Sequence, residues 1–370
     1  MVWFDKNFGI WYILPYGKNG RGAKILREQQ VIESVLRRFE ELLPELTLKA
    51  HREIAHRTGV ADLVLDVQIG DVSRKLVCEV KGVGEPRYLR SAITQLTEAL
   101  ATYPDASPVI IAPYISREGR KLCRDHQVGY IDLTGNIFLR FNHVLIDKSG
   151  EGPPPSVKRK YRRLFTPVAS RVIRVMLENP ERSWTMMRLS AESEVSAYTV
   201  YRVFEWLDER GYIEKARGAT SLLKPGYLLD LWAENYDFSV NPSRSYYSLA
   251  KGFRAFGRQL KELKLPESQR YALTMHSGAS LVAPFVRFSD IHLYFEGDPE
   301  TIVQALDLRP VESGGQVHIL TPYDKGVFYN SRRLQDLTVV CNTQLYLDLI
   351  NYPARGEEQA RFLREQEMPF

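Results

Sequence analysis

The segment Gly150-Glu151-Gly152-Pro153-Pro154-Pro155 breaks the chain into parts. Glycine leaves the backbone unrestrained, and a proline run offers no N–H groups for a helix or a sheet ladder. No regular element is expected to run through it. A chain of 370 residues has room for two or three domains. The expected division is 1–150, 157–236 and 237–370, with mixed α/β and α+β character.

Composition narrows the classes of function. Cys78, Cys123 and Cys341 are far apart, without C-x-x-C spacing, so neither a disulfide framework nor a cysteine metal site is expected. The seven histidines are scattered without ligand spacing. No apolar run approaches the roughly 18 residues of a membrane span, and the N-terminus lacks the pattern of a signal peptide. A cytoplasmic protein with no membrane partner is expected. The net charge of +5 is unevenly spread: residues 157–225 hold 14 Lys/Arg and 8 Asp/Glu, a net of +6. Positive charge concentrated in one segment is the footprint of a nucleic-acid partner.

Two apolar, β-branched runs lie in the first part, 61–69 and 75–83, separated by Gly70-Asp71-Val72-Ser73. They read as two strands joined by a turn. Side chains alternate along a strand, so Glu79 and Lys81 share a face. A hairpin folded about residues 71–72 places Asp62 opposite Lys81, with Glu79 one step away. A slip of one residue would turn Asp62 to the other face. A strand-end turn residue and an exposed ladder pair are the plain alternatives. Against them, Leu76, Val77, Val80 and Val83 make the second strand largely apolar, so its charges need partners. Asp62 and Glu79 suit a hard divalent cation such as Mg²⁺, and Lys81 suits an attacking water or a phosphate. Mg²⁺ is expected only if this site cleaves a phosphodiester.

Helical spacing predicts a helix over about 25–43, with Glu33 as a possible outer ligand, and a strand near 46–52. A second helix is expected over about 87–102, carrying Gln95, and a buried strand at 108–112. This αβββαβ order, with Asp62, Glu79-x-Lys81 and Gln95, resembles the PD-(D/E)xK nuclease superfamily over residues 25–113. Ala61 stands where that family often has proline. The resemblance implies a restriction-endonuclease-like fold and a catalytic set of Asp62, Glu79, Lys81, Gln95 and Glu33. It leaves open whether the domain cuts DNA or only derives from proteins that do.

After the proline run, Lys158-Arg159-Lys160-Tyr161-Arg162-Arg163 reads either as a solvated linker or as a contact to phosphates, which carries no sequence information. Helices are expected at 168–178, 186–193 and 196–210, with Ser196 capping the third and Gly211 stopping it. Val200, Val203, Phe204 and Leu207 form its inward face. A hairpin at 212–223 follows. Three helices and a hairpin make a winged helix-turn-helix pattern. In that pattern Ser196, Tyr198, Thr199 and Arg202 would face base edges, and Arg217 would touch phosphate or the minor groove. A winged helix used only for protein contacts is the alternative.

The last third mixes helix and strand signals, with a helix expected over 245–263. Ser277-Gly278 followed by Asp290-Ile291-His292 resembles the metal-site pattern of nucleotidyltransferases, but His292 replaces the second acid. A degraded nucleotidyltransferase-like α/β domain without transfer activity is expected. The motifs Gly129-Tyr130-Ile131-Asp132-Leu133-Thr134-Gly135-Asn136, Ser277-Gly278, 337–341, 343–349 and 355–358, with the winged helix, resemble the AbiEi group of type IV antitoxin transcriptional regulators over most of residues 120–365. This resemblance implies duplex DNA as a partner, a toxin or phage-defence partner, and a regulatory role. Simple members begin at the winged helix, whereas this chain carries about 150 residues before it. The expected function is antitoxin-type regulation through the winged helix. The alternative is a Mg²⁺-dependent endonuclease directed to DNA by it.

Overall fold

The computed structural model describes residues 2–5, 10–13, 30–53, 61–152, 154 and 163–370. Residues 25–29 of the expected first helix, and Lys158, Arg159 and Lys160, lie outside the described residues. The chain forms two compact units, Met1–Lys158 with Glu209–Gly211, and Arg159–Asp208 with Tyr212–Phe370. Among the described residues no helix is long and apolar enough to cross a membrane.

In the first unit, β1 (Val2–Asp5) pairs antiparallel with β2 (Ile10–Ile13). Helix α1 is seen over residues 30–37, and α2 spans Phe39–Leu42. The main sheet holds β3 (Thr47–Glu53), β4 (Leu63–Ile69), β5 (Val72–Val80), β6 (Ser107–Ala112), β7 (Gly129–Asp132), β8 (Ile137–Phe141) and β9 (Val144–Lys148), in that spatial order. Helix α3 (Pro86–Ala99) joins β5 to β6, and α4 (Arg117–Asp125) joins β6 to β7. These helical crossovers let β5, β6 and β7 run parallel, while the remaining neighbours are antiparallel. The αβββαβ order is present and continues into a further helix and three strands.

Alternation along β4 and β5 builds a core on each face. Leu63, Leu65, Val67, Leu76, Cys78 and Val80 pack with α1 and α2 residues such as Val35 and Phe39. Val64 and Val77 pack with Leu89, Ala92 and Leu96 of α3. The β4–β5 connection is tighter than the sequence suggests. Ile69 pairs with Val72, leaving a two-residue turn in which Gly70 has φ of +53°, a conformation glycine adopts without a Cβ clash. Leu63 therefore pairs with Cys78, and continuing that register sets Asp62 across from Glu79 rather than Lys81. The correction is two residues, which keeps every side chain on its expected face.

The second unit contains α5 (Pro167–Glu178), α6 (Met186–Ser193) and α7 (Ala197–Glu209), then β10 (Ile213–Ala216), β11 (Ala219–Leu222) and α8 (Pro225–Asn235). A second sheet follows, ordered β15-β12-β16-β14-β13-β18-β17. Its strands are β12 (Ser243–Tyr247), β13 (Arg270–Thr274), β14 (Ile291–Glu296), β15 (Arg309–Pro310), β16 (Val317–Leu320), β17 (Arg332–Leu334) and β18 (Leu337–Val339). The helices of this part are α9 (Gly252–Glu262), α10 (Met275–Val282), α11 (Pro299–Ala305), α12 (Asn342–Ile350) and α13 (Gly356–Glu367). The helix expected over 245–263 is corrected. Its first residues form β12, where Tyr246 is buried between β15 and β16, and helix begins only at Gly252, whose φ of +74° marks the turn. One apolar cluster runs from Val172 and Leu207 through Trp232 to Leu293 and Leu345, so the three-helix part and the second sheet share a core.

Candidate functional site

Helix α5 buries Val172, Ile173, Val175 and Met176. The Thr185 hydroxyl caps α6 by accepting the Arg188 N–H, and α6 ends at Glu194 in the left-handed region (φ +51°). The Ser196 hydroxyl then accepts the Thr199 N–H at 3.2 Å, at the start of α7. Val200, Val203, Phe204 and Leu207 are buried as their spacing predicts. The opposite face leaves Tyr198 71% and Tyr201 42% exposed, with Arg202 exposed and Thr199 half-buried.

β10 and β11 form an antiparallel hairpin. Ala216 pairs with Ala219, so Arg217 and Gly218 are the turn, and Gly218 has φ of +75°. Arg217 is exposed at its tip. Trp184 adds a third strand position through two bonds of 2.8 Å with Thr220. Arg182 lies 4.0 Å over the Trp184 ring.

Charge in this part is sorted by burial in a way that composition conceals. Arg171 binds Asp324 through two bonds of 2.7 and 2.6 Å. Arg174 is fully buried, bonded to Gln344 and to Tyr323, and 5.0 Å from the Trp232 ring. Lys215 binds Glu205 and Asp208 at 3.2 Å. Arg163, Arg182, Arg188, Arg202 and Arg217 are exposed. Arg182 and Arg188 were not singled out in the sequence. Their placement beside a short strand and in the first turn of α6 was the available signal. Ser196, expected at base edges, is engaged in capping α7.

In the first unit, the register brings Asp62, Glu79, Lys81 and Gln95 together. The Asp62 carboxylate accepts the Val80 N–H at 2.8 Å, and Asp62 N–H reaches Cys78 O at 3.2 Å. Lys81 Nζ donates to Glu79 Oε2 at 2.6 Å and to Gln95 Oε1 at 3.0 Å, and stands 3.9 Å from Asp62 Oδ2. Glu79 is 3% and Lys81 8% exposed, whereas Asp62 is half-buried and Gln95 exposed. Burial and the adjacent Asp62 charge push Glu79 up to about 7, against the pull of Lys81. Glu33 is not part of this cluster. It is exposed on α1, whose Val31, Ile32 and Val35 pack into the core on the other face of the sheet.

The donor set fits a divalent cation. Two facing carboxylates share the single positive charge of Lys81, and a divalent cation would add to it. Asp62 and Glu79 are the residues that would hold it. Among the described residues there is no group of three or more His, Cys, Asp or Glu arranged to hold a metal ion, so water and phosphate oxygens would complete the coordination.

Other singled-out motifs serve packing. The buried Asp132 carboxylate accepts from the Thr134 N–H and hydroxyl, the Asn136 N–H and side chain, and the Ile115 N–H, at 2.7–3.0 Å. It fixes the β7–β8 turn. Ser277 Oγ accepts the His292 N–H at 3.0 Å and lies 2.8 Å from Thr274 O, tying α10 to β14. A Cβ at Gly278 would come within 2.8 Å of Leu273 O. His292 stacks on His318 with ring centroids 4.5 Å apart.

No curated protein and no solved structure matches the chain. The family match starts at residue 221, so helices α5–α7 and the 129–136 motif precede it, which shortens the resemblance first drawn over 120–365. Residues 221–368 match the family described as transcriptional regulator, AbiEi antitoxin, type IV TA system.

Proposed function

We propose that the protein is an antitoxin-type transcriptional regulator that binds duplex DNA through its winged helix. The observation that carries this reading is the outer face of α7. A capped helix leaves Tyr198, Tyr201 and Arg202 exposed on one side while its apolar stripe is buried on the other. Arg217 on the wing and Arg188 on α6 add exposed cations. In helix-turn-helix proteins the second helix of the motif enters the major groove, and the preceding helix crosses the backbone. α7 and α6 take those places. The antitoxin description supports the regulatory role and a toxin partner, and the protein works in the cytoplasm. Arg202→Ala and Arg217→Ala should each weaken binding to the chain's own promoter DNA by roughly tenfold, consistent with about 1–3 kcal/mol per lost contact. Fluorescence anisotropy with labelled duplex measures it. Unchanged affinity in both variants refutes this use of the winged helix.

A second reading is favoured by the acid–lysine cluster: Mg²⁺-dependent cleavage of DNA by the first unit. A divalent cation held there supplies charge stabilisation to a scissile phosphate. Lys81, shared between Glu79 and Gln95, holds a proton at Nζ beside the place where water or a phosphate oxygen would enter. Gln95 orients it, and Asp62 is fixed by the Val80 N–H. Wild-type protein should nick plasmid DNA with Mg²⁺ or Mn²⁺, while Asp62→Ala and Lys81→Ala abolish nicking and keep duplex affinity. A wild type that cuts no form of DNA with either ion removes this reading and leaves the regulator.

A further inference from the structure

A cavity of about 400 Å³ lies in the first unit at the end of the sheet where β6 and β7 begin. Arg74, Arg124, Arg140, Gln127 and Asn142 line it, and among the described residues no Asp or Glu does. Arg74 is near the start of β5 and Glu79 near its end. Five residues of strand separate them by roughly 17 Å, so this cavity is not the acid–lysine site.

Two of its three cations are held in place. Arg74 Nε donates to Ser107 Oγ at 3.1 Å. Arg124 makes two bonds of 2.8 Å to Asp147 and one of 2.9 Å to Tyr130, and its guanidinium lies 4.3 Å from the Phe138 ring centroid. Arg140 is exposed on β8. Gly129 also lines the cavity, and a Cβ there would crowd the neighbouring strand, 3.0 Å from Phe138 O and 3.2 Å from Leu139 Cδ2. Gln127 and Asn142 both adopt left-handed backbone, at φ +58° and +50°. Their amides add neutral hydrogen-bonding groups to the lining.

Three guanidinium groups around one concavity repel each other unless an anion lies among them. Planar guanidinium forks match phosphate oxygens better than any other cationic side chain. Asp147 neutralises one of the three, leaving two charges. The volume lies within the range of pockets for small ligands and exceeds what one inorganic phosphate fills. We propose that this cavity binds a phosphate-bearing small molecule with at least two negative charges and about the size of a nucleoside diphosphate. This site is independent of the winged helix.

Isothermal titration calorimetry of the full chain with adenosine diphosphate, pyrophosphate and adenosine tests it. Adenosine diphosphate should bind and adenosine should not. Arg140→Gln and Arg74→Gln should each lower its affinity at least about tenfold, the scale of a lost charged hydrogen bond, with unchanged thermal unfolding. Pyrophosphate binding as tightly as adenosine diphosphate would assign recognition to the phosphates alone. Weaker pyrophosphate binding would assign it to the whole molecule. No binding of either at millimolar concentration, or binding indifferent to both substitutions, overturns the proposal. So does a loss of duplex DNA affinity in Arg140→Gln without small-anion binding in the wild type.

Discussion

At the scale of single residues, Glu79 and Lys81 carry the most consequential chemistry. Both are buried, and Lys81 is the cation that compensates two carboxylates. Breaking a buried pair costs more than forming it gains, because the remaining charge has no water. The sign of the pH dependence follows from Glu79. Its folded value is raised to about 7, above the ordinary glutamate value. Its contribution to stability is therefore complete below the unfolded value and is lost as pH rises through about 7. Lys81→Met should accordingly lower stability by about 3 kcal/mol at pH 8, where Glu79 is ionised, and by clearly less at pH 5. Urea unfolding at the two pH values measures it, and an equal loss at both would show that Glu79 is not the partner that matters. The meeting of Asp62, Glu79, Lys81 and Gln95 was legible because strand alternation fixes faces. Which residue Asp62 faces was not, because the two-residue turn at Gly70-Asp71 is one of several that the same four residues allow. Glu33 was misplaced for a related reason: helical spacing gives the side that packs but not the face of the sheet it packs on.

Among elements, α7 carries the proposed contact with DNA. Its apolar stripe, its Ser196 cap and its stop were all readable, since spacing and capping are local properties. The engagement of Ser196 in that cap separates it from Arg202. Ser196→Ala should cost about 1 kcal/mol of stability and weaken DNA binding less than Arg202→Ala does. Thermal unfolding and anisotropy on the same samples compare the two. A binding loss for Ser196→Ala that equals the Arg202→Ala loss would return Ser196 to the base-reading face. The segment 245–263 was less legible. Ser245-Tyr246-Tyr247 has no helical stripe of its own, and only pairing with β15 and β16 makes it a strand.

Over the whole molecule, the chain passes from one compact unit to the other at Lys158–Arg159, just after the Gly-Pro segment, whereas the core shared by the three helices and the second sheet was not visible in the sequence. Arg174 shows why. In sequence it is one of 14 basic residues in a segment of net charge +6. In the structure it is sealed in the core and bonded to Gln344 and Tyr323. A count of charges has no term for burial, so it overstates the surface charge of the winged helix. The proposed DNA binding would then rest on fewer cations, chiefly Arg182, Arg188, Arg202 and Arg217, together with the basic stretch at 158–163. Salt titration of duplex binding measures how many of them meet phosphates. The logarithm of affinity should fall linearly with the logarithm of salt concentration, and Arg217→Ala should make the slope shallower by about 1. Affinity independent of salt, or a slope that Arg217→Ala leaves unchanged with Arg202→Ala equally silent, would contradict DNA binding by this face.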